Sequence, residues 1–251
     1  MEVVYAMIEL FHVSKVYRDT VALANVDLKI NPGEIIGLFG ENGAGKTTLM
    51  KSIVGIVPYQ GTILLDSDPI TRKNIGRISF GTCEHSFFGD LTADEHAQFY
   101  REHFDTFDEK RYNGLMDFFE LPRNRKLKRM STGQQNQMEV ILALSQGADY
   151  VFLDEPFAGN DIFNREDFYK VLLGILRPDE TIMLSTHLIE EVSGFVGRAV
   201  LIHKGKIIGD CDVTALEENG KSLTDYVKEI YGYQPDRVGK ALADITGEKD
   251  I

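Results

Sequence analysis

The chain has 251 residues, 43% of them hydrophobic, and carries a net charge of −12 from 27 basic and 39 acidic side chains. That length buries a full core, as one large domain or a domain with an inserted lobe, and the acidic balance disfavours nucleic acid as the main partner and leaves no polybasic membrane patch. Cys83 and Cys211, the two cysteines, give no metal spacing and no disulfide framework, which suits a reducing cytosol. No basic-then-apolar leader and no run of bilayer-spanning length is read, so work at a membrane would need a partner to supply the membrane part.

Residues Ile8 to Val13 alternate as a strand, and Val21 to Ile30 reads as a second, followed by the turn Asn31-Pro32-Gly33. The apolar run Glu34 to Phe39 is a buried parallel strand. It leads into Gly40-Glu41-Asn42-Gly43-Ala44-Gly45-Lys46-Thr47-Thr48, which matches G-x-x-x-x-G-K-[ST]. A helix pattern follows, with Leu49, Met50, Ile53 and Val54 inward and Gly55 at its end. The glycines let successive N–H groups point at one anion, at a helix N-terminus whose dipole favours it. Lys46 adds a full charge for β- and γ-phosphates, and the Thr47 hydroxyl suits Mg²⁺. Without its flanking strand and helix, the same run would be only a glycine-rich turn.

Gly61 to Asp66 and Arg77 to Phe80 are short strands. Thr92 and Glu95 form a capping-box pattern, and the stretch from there to about Gln146 is helix-patterned, with Phe99, Tyr100, Leu115, Phe118, Phe119, Met138, Ile141 and Leu142 marking apolar sides. It carries no strand signal and reads as a helical lobe set into an α/β core. Within it, Ser131-Thr132-Gly133-Gln134-Gln135 is locally a capping box from Ser131 to Gln134 and functionally a second anion site; the two are compatible.

Tyr150 to Leu153 is a buried strand ending in Asp154-Glu155, carboxylates delivered to the edge where open α/β sheets bind ligands. Alone they could be solvated acids at a strand exit. After a phosphate loop, Asp154 suits Mg²⁺ and Glu155 suits polarising an attacking water. Asn164 is read as the cap of a helix through Leu176, stopped by Arg177-Pro178. Thr181 to Ser185 is a strand and Leu188 to Val192 a helix. Ala199 to His203 and Lys206 to Ile208 pair around Lys204-Gly205, and the part from Thr214 is helical and then polar. The alternation of strands and helices argues a mostly parallel sheet.

The order of phosphate loop, helical lobe, Met130-Ser131-Thr132-Gly133-Gln134, Phe152-Leu153-Asp154-Glu155-Pro156 and Ser185-Thr186-His187 resembles the ATP-binding cassette of ABC transporters, from about Ile8 to Tyr231. Against the family's Leu-Ser-Gly-Gly-Gln pattern, Met130 and Thr132 replace the first and third residues, while Ser131, Gly133 and Gln134 are kept. The resemblance implies an α/β fold with a P-loop NTPase (RecA-like) core, an N-terminal antiparallel β subdomain and an inserted α-helical lobe. It implies one cassette domain over 1–251: core and β subdomain at about 1–82 and 149–213, lobe at about 83–148, helical tail at about 214–251.

It further implies ATP and Mg²⁺ as ligands and roles for matching positions. Gly40, Glu41, Asn42, Gly43, Ala44, Gly45, Lys46, Thr47 and Thr48 hold the phosphates, and Tyr17 stacks on adenine, where otherwise it is a core or surface tyrosine. Asp154 supports Mg²⁺, Glu155 is the general base, His187 contacts the γ-phosphate, and Asp161 lies in the loop that communicates across a dimer. The family's glutamine between core strand and lobe falls on Cys83, with Glu84 beside it; oxygen chemistry favours Glu84 for Mg²⁺. Ser86-Phe87-Phe88-Gly89 reads as core packing or as part of a groove for a membrane subunit. The expected partners are a transmembrane permease in a separate chain and a second cassette copy, with Ser131, Gly133 and Gln134 of one copy completing the other's site, at the cytoplasmic face of a membrane. The rival expectations are a soluble cassette ATPase in an assembly role and a nucleotide-binding regulator without turnover.

Overall fold

The computed structural model describes residues 7–84, 87–156 and 162–232, and of 162–166 the backbone alone. Two sheets form. In the first, β1 (Ile8–Tyr17), β2 (Thr20–Ile30), β4 (Gln60–Leu65) and the two-residue β5 (Asp68–Pro69) run in the order β2-β1-β4-β5, all antiparallel. Its register joins Ile8 to Ile30, Leu10 to Leu28 and Val13 to Val26, so the buried members of each strand share a face. A bulge between Leu10 and Val13 puts His12 at φ 52°.

The second sheet contains β3 (Ile35–Phe39), β6 (Ile78–Thr82), β7 (Tyr150–Asp154), β8 (Thr181–Thr186), β9 (Arg198–His203) and β10 (Lys206–Asp212), in the order β10-β9-β3-β8-β7-β6. All pairs are parallel except the edge pair β10–β9. The period of two divides its side chains between two cores. Tyr150, Phe152, Met183, Val200 and Ile202 face the antiparallel sheet and α1 (Lys46–Ile53). Val151, Leu153, Ile182, Leu184, Ala199 and Leu201 pack with the helical elements on the other side.

Those elements are α2 (Ala93–His103), α3 (Glu109–Phe118), α4 (Thr132–Ser145) and α5 (Ile162–Ile175), followed near the C-terminus by α6 (Ile189–Val192), α7 (Val213–Glu218) and α8 (Leu223–Ile230). The capping box at Thr92 and Glu95 starts α2 as its residues predict. The long helical stretch resolves into three helices joined by turns, and α4 runs out of the lobe onto the sheet. Gly81 permits that approach, since a Cβ there would meet Ala143 and the Glu139 carbonyl at 3.3 Å. Asn164 is not the cap of α5: the helix begins at Ile162, placing Asn164 in its first turn, because helical backbone geometry extends one turn upstream of the polar signal. No helix is long and apolar enough to cross a membrane among the described residues.

Candidate functional site

Register decides where the chemistry lies. Phe39 pairs with Thr186, Asp154 with Ser185, and Thr82 with Asp154. Four neighbouring strands, β3, β8, β7 and β6, therefore end together, and the residues that follow them in sequence emerge along one sheet edge. These are Gly40, His187, Glu155 and Cys83.

The loop after β3 turns on two glycines with positive φ, Gly43 at 82° and Gly45 at 115°. Gly45 admits no side chain, because a Cβ would lie 2.6 Å from the Ala22 carbonyl. Its Cα leads into α1, whose first residue is Lys46. Lys46 is 6% exposed. Its ammonium donates to the Gly40 carbonyl at 2.7 Å and to the Glu41 carbonyl at 3.4 Å, and lies 3.4 Å from a Glu155 oxygen. The N-terminus of α1 has no side-chain cap, so its first N–H groups stay available to an anion.

A chain of short contacts runs along the edge. The Thr47 hydroxyl donates to Asp154 Oδ2 at 2.6 Å, and the buried Ser185 hydroxyl donates to Asp154 Oδ1 at 2.5 Å. Ser185 Oγ also accepts the Glu155 N–H at 3.0 Å, and the Ser185 carbonyl accepts it at 3.2 Å. This double hold keeps Glu155 at φ 46°, a strained angle for a residue other than glycine. The Glu155 carboxylate is thereby shared between Lys46 and His187, whose Nδ1 stands 3.2 Å from Oε2. Ser185 is the site residue that motif reading passes over; its signal, a small hydroxyl residue two positions before His187 at the end of a buried strand, emerges only once β8 is known to lie beside β7.

The donors suit a hard divalent cation. Thr47 Oγ1 and Asp154 Oδ2 are adjacent oxygens beside the loop, and Mg²⁺ is commonly held by one or two carboxylates together with substrate phosphates and water. No cluster of three acidic, His or Cys side chains competes for a metal among the described residues.

Cys83 and Glu84 part company. Burial raises the Cys83 thiol above its usual range, helped first by the charge of Asp154 and then by those of Glu155 and Glu84, so the thiol stands within their field. The Glu84 carboxylate is instead engaged by Lys51 of α1 at 2.5 Å. Tyr17 sits at the tip of the β1–β2 hairpin opposite Thr20, 43% exposed, with the Lys15 ammonium 4.7 Å from its ring centre. Ser131 and Gln134 form the reciprocal capping box of α4, at 3.3 and 3.2 Å, and Gln135 N–H bonds the Ser131 carbonyl; this end of the helix is engaged with itself. Gly133 lies in its first turn. Asp161 lies outside the described residues. Phe88, 58% exposed, packs on Phe99 and His96 at the edge of the lobe. A cleft of about 300 Å³ opens beside the edge, between Gly40, Glu41 and His187 on one side and Val227 and Tyr231 of the C-terminal segment on the other.

A family model described as ABC transporter matches residues 23–158. Among curated relatives, the ABC transporter ATP-binding protein YtrB of Bacillus subtilis is 29% identical over 234 residues, covering 92% of this chain and 78% of its own. The lipopolysaccharide export system ATP-binding protein LptB of Escherichia coli K12 is 28% identical over 235 residues, covering 88% and 94%. Among solved structures, an ATP-binding subunit of an ABC transporter superposes with a TM-score of 0.77 at 21% identity, over 90% of this chain and 99% of that one. The dimeric post-hydrolysis cassette MJ0796 with ADP and Pi gives 0.70 at 22%, over 82% and 98%. These two likenesses establish the fold.

Proposed function

This chain belongs to the ABC transporter family as an ATP-binding subunit and ATPase, and we propose that it powers a membrane transporter by closing head to tail with a second cassette around ATP. One observation carries the reading: Lys46, Thr47, Asp154, Glu155 and His187 are joined, through Ser185, by direct contacts at one sheet edge, whereas Ser131 heads a separate helix and caps it. The first group can hold and cleave a nucleoside triphosphate. The second offers another copy a helix end whose Ser131 cap turns to an anion when one docks.

In this reading the loop N–H groups from Gly40 to Thr48 cradle the phosphates, and Lys46 turns from the Gly40 carbonyl to the β- and γ-phosphate oxygens. Thr47 and Asp154 hold Mg²⁺, which when bound neutralises phosphate charge. Glu155, steadied by Ser185 and His187, orients a water for in-line attack on the γ-phosphorus and accepts its proton; the bond to the ADP oxygen breaks and phosphate leaves. His187 meets the γ-phosphate, and Tyr17 offers an exposed ring to the base. Because ATP binds the closed pair, it stabilises closure by mass action, and hydrolysis reopens it. A permease in a separate chain, at the cytoplasmic face of the membrane, converts that cycle into transport. Residues 83–148 serve as the lobe that offers Ser131, Gly133 and Gln134, and Asp161 carries the signal between copies.

Glu155→Gln tests this. It should keep ATP binding and accumulate a dimer at saturating Mg-ATP by light scattering, whereas adding Lys46→Ala should abolish both. ATP-bound Glu155→Gln that stays monomeric would sink the head-to-tail scheme. Co-purification with a membrane subunit separates a transport role from a soluble one.

A further inference from the structure

Arg111 is a charged residue buried in the first turn of α3, outside every motif above. Both of its terminal nitrogens are engaged twice. Nη1 donates to the Leu144 carbonyl at 2.9 Å and to Glu180 Oε1 at 2.6 Å; Nη2 donates to the Ile175 carbonyl at 2.6 Å and to Glu180 Oε2 at 2.9 Å. Leu144 lies in the last turn of α4 and Ile175 ends α5, so one cation closes the negative ends of two helices. The α3 start is tied to the same place, since Asp108 N–H bonds the Ser145 carbonyl at 2.7 Å.

The three segments that meet at this fork lead to the functional groups. Helix α4 begins behind Ser131, about 20 Å away at 1.5 Å per residue. Helix α5 follows the segment after Asp154 and Glu155. Glu180 immediately precedes β8, which ends in Ser185 and Thr186. A buried ion pair is a weak source of net stability, because desolvation offsets much of its attraction. The planar fork gives something else: fixed geometry between groups that a point charge could not span together.

We infer that Arg111 is a positioning residue that locks the far ends of α4, α5 and β8 together, so that the Ser131 end of α4 is placed by the state of the Asp154–Glu155–Ser185 edge. Nucleotide bound in the core is then felt by the helix end offered to the second cassette. The dimer arm of the test below rests on the function proposed above; the exchange arm does not.

Two variants separate positioning from bulk stability. Arg111→Lys keeps a charge for Glu180 but not the fork. Arg111→Met with Glu180→Leu removes both buried charges and should recover part of the urea midpoint lost in Arg111→Met alone. In the Glu155→Gln background, both should bind ATP within about two-fold of the parent yet dimerise about ten-fold more weakly. Without nucleotide, amide exchange at Gln134 and Gln135 should speed about ten-fold while Leu49 to Ile53 of α1 are unchanged. Parental exchange at Gln134 and Gln135 in both variants overturns the inference, and so does dimer strength that returns whenever the urea midpoint does. If the parent itself fails to dimerise, the proposed function falls, and the exchange arm alone decides whether Arg111 positions α4.

Discussion

Replacing Ser185 with Ala removes one oxygen from the interior and should be felt far beyond its size. The hydroxyl is fully buried, donates to Asp154 Oδ1 at 2.5 Å, and accepts the Glu155 N–H at 3.0 Å. A hydrogen bond to a charged group contributes about 1.5–3 kcal/mol. The Glu155 N–H keeps the Ser185 carbonyl at 3.2 Å, so its loss adds little. Asp154 is itself buried, and Thr47 holds only its other oxygen. The expected cost is about 2–3 kcal/mol, or a fall in Tm of about 4–12 °C for a domain of this size. Urea unfolding of nucleotide-free protein at neutral pH measures it as a lower midpoint at unchanged slope. The same substitution in an Asp154→Asn background should cost under about 1 kcal/mol, because the charge that strengthens the bond is gone. A cost below about 0.5 kcal/mol in the natural background, or an equal cost in both backgrounds, refutes the charge-assisted bond.

Buried His96 supplies a pH prediction. Its Nε2 accepts the Phe88 N–H at 3.1 Å and its Nδ1 lies 2.8 Å from the Thr92 carbonyl, so the ring is held neutral with its proton on Nδ1. Burial lowers its pKa below the ordinary 6.5, against smaller opposing effects of Thr92 and Glu95. The unfolded chain therefore binds this proton first, and the stability His96 contributes is present above pH 6.5 and lost as pH falls through the lower folded value. The urea midpoint should drop more between pH 7 and pH 5 than in His96→Gln; equal drops would discount the residue. At the sheet edge, Cys83→Gln places an oxygen donor in the field of Asp154 and should lower the Mg²⁺ concentration for half-maximal ATP hydrolysis, whereas Glu84→Gln, at a position engaged by Lys51, should leave it within about two-fold. The opposite ranking would give the cation-sensing role to Glu84.

Local signals placed several of the elements. The runs at Glu34 to Phe39 and Tyr150 to Leu153 read as strands because a parallel strand buried on both faces is apolar without alternation. The boxes at Thr92 and Ser131 read as helix starts because both partners lie three residues apart. Pairings between distant segments left no such trace. Arg111 stands in the charged run Glu109-Lys110-Arg111, which looks like a solvated helix face, and its partner Glu180 is 69 residues away. Ser185 gains its role only from β8 lying between β3 and β7. The ion pair between Glu84 and Lys51 of α1 is likewise a matter of packing, with no trace in the spacing. The two-residue β5 is too short for any periodicity to reveal.

The position of β3 has a consequence for how the molecule is made. Its only sheet neighbours are β8 and β9, both more than 140 residues later in the chain. A ribosome-bound chain that has exposed the phosphate loop therefore carries a hydrophobic strand with two open edges until roughly residue 200 has emerged. Asp154 and Ser185 complete the loop's surroundings only when β8 slots between β7 and the much earlier β3. The late closure of β3 thus follows from the same strand order that makes the finished site.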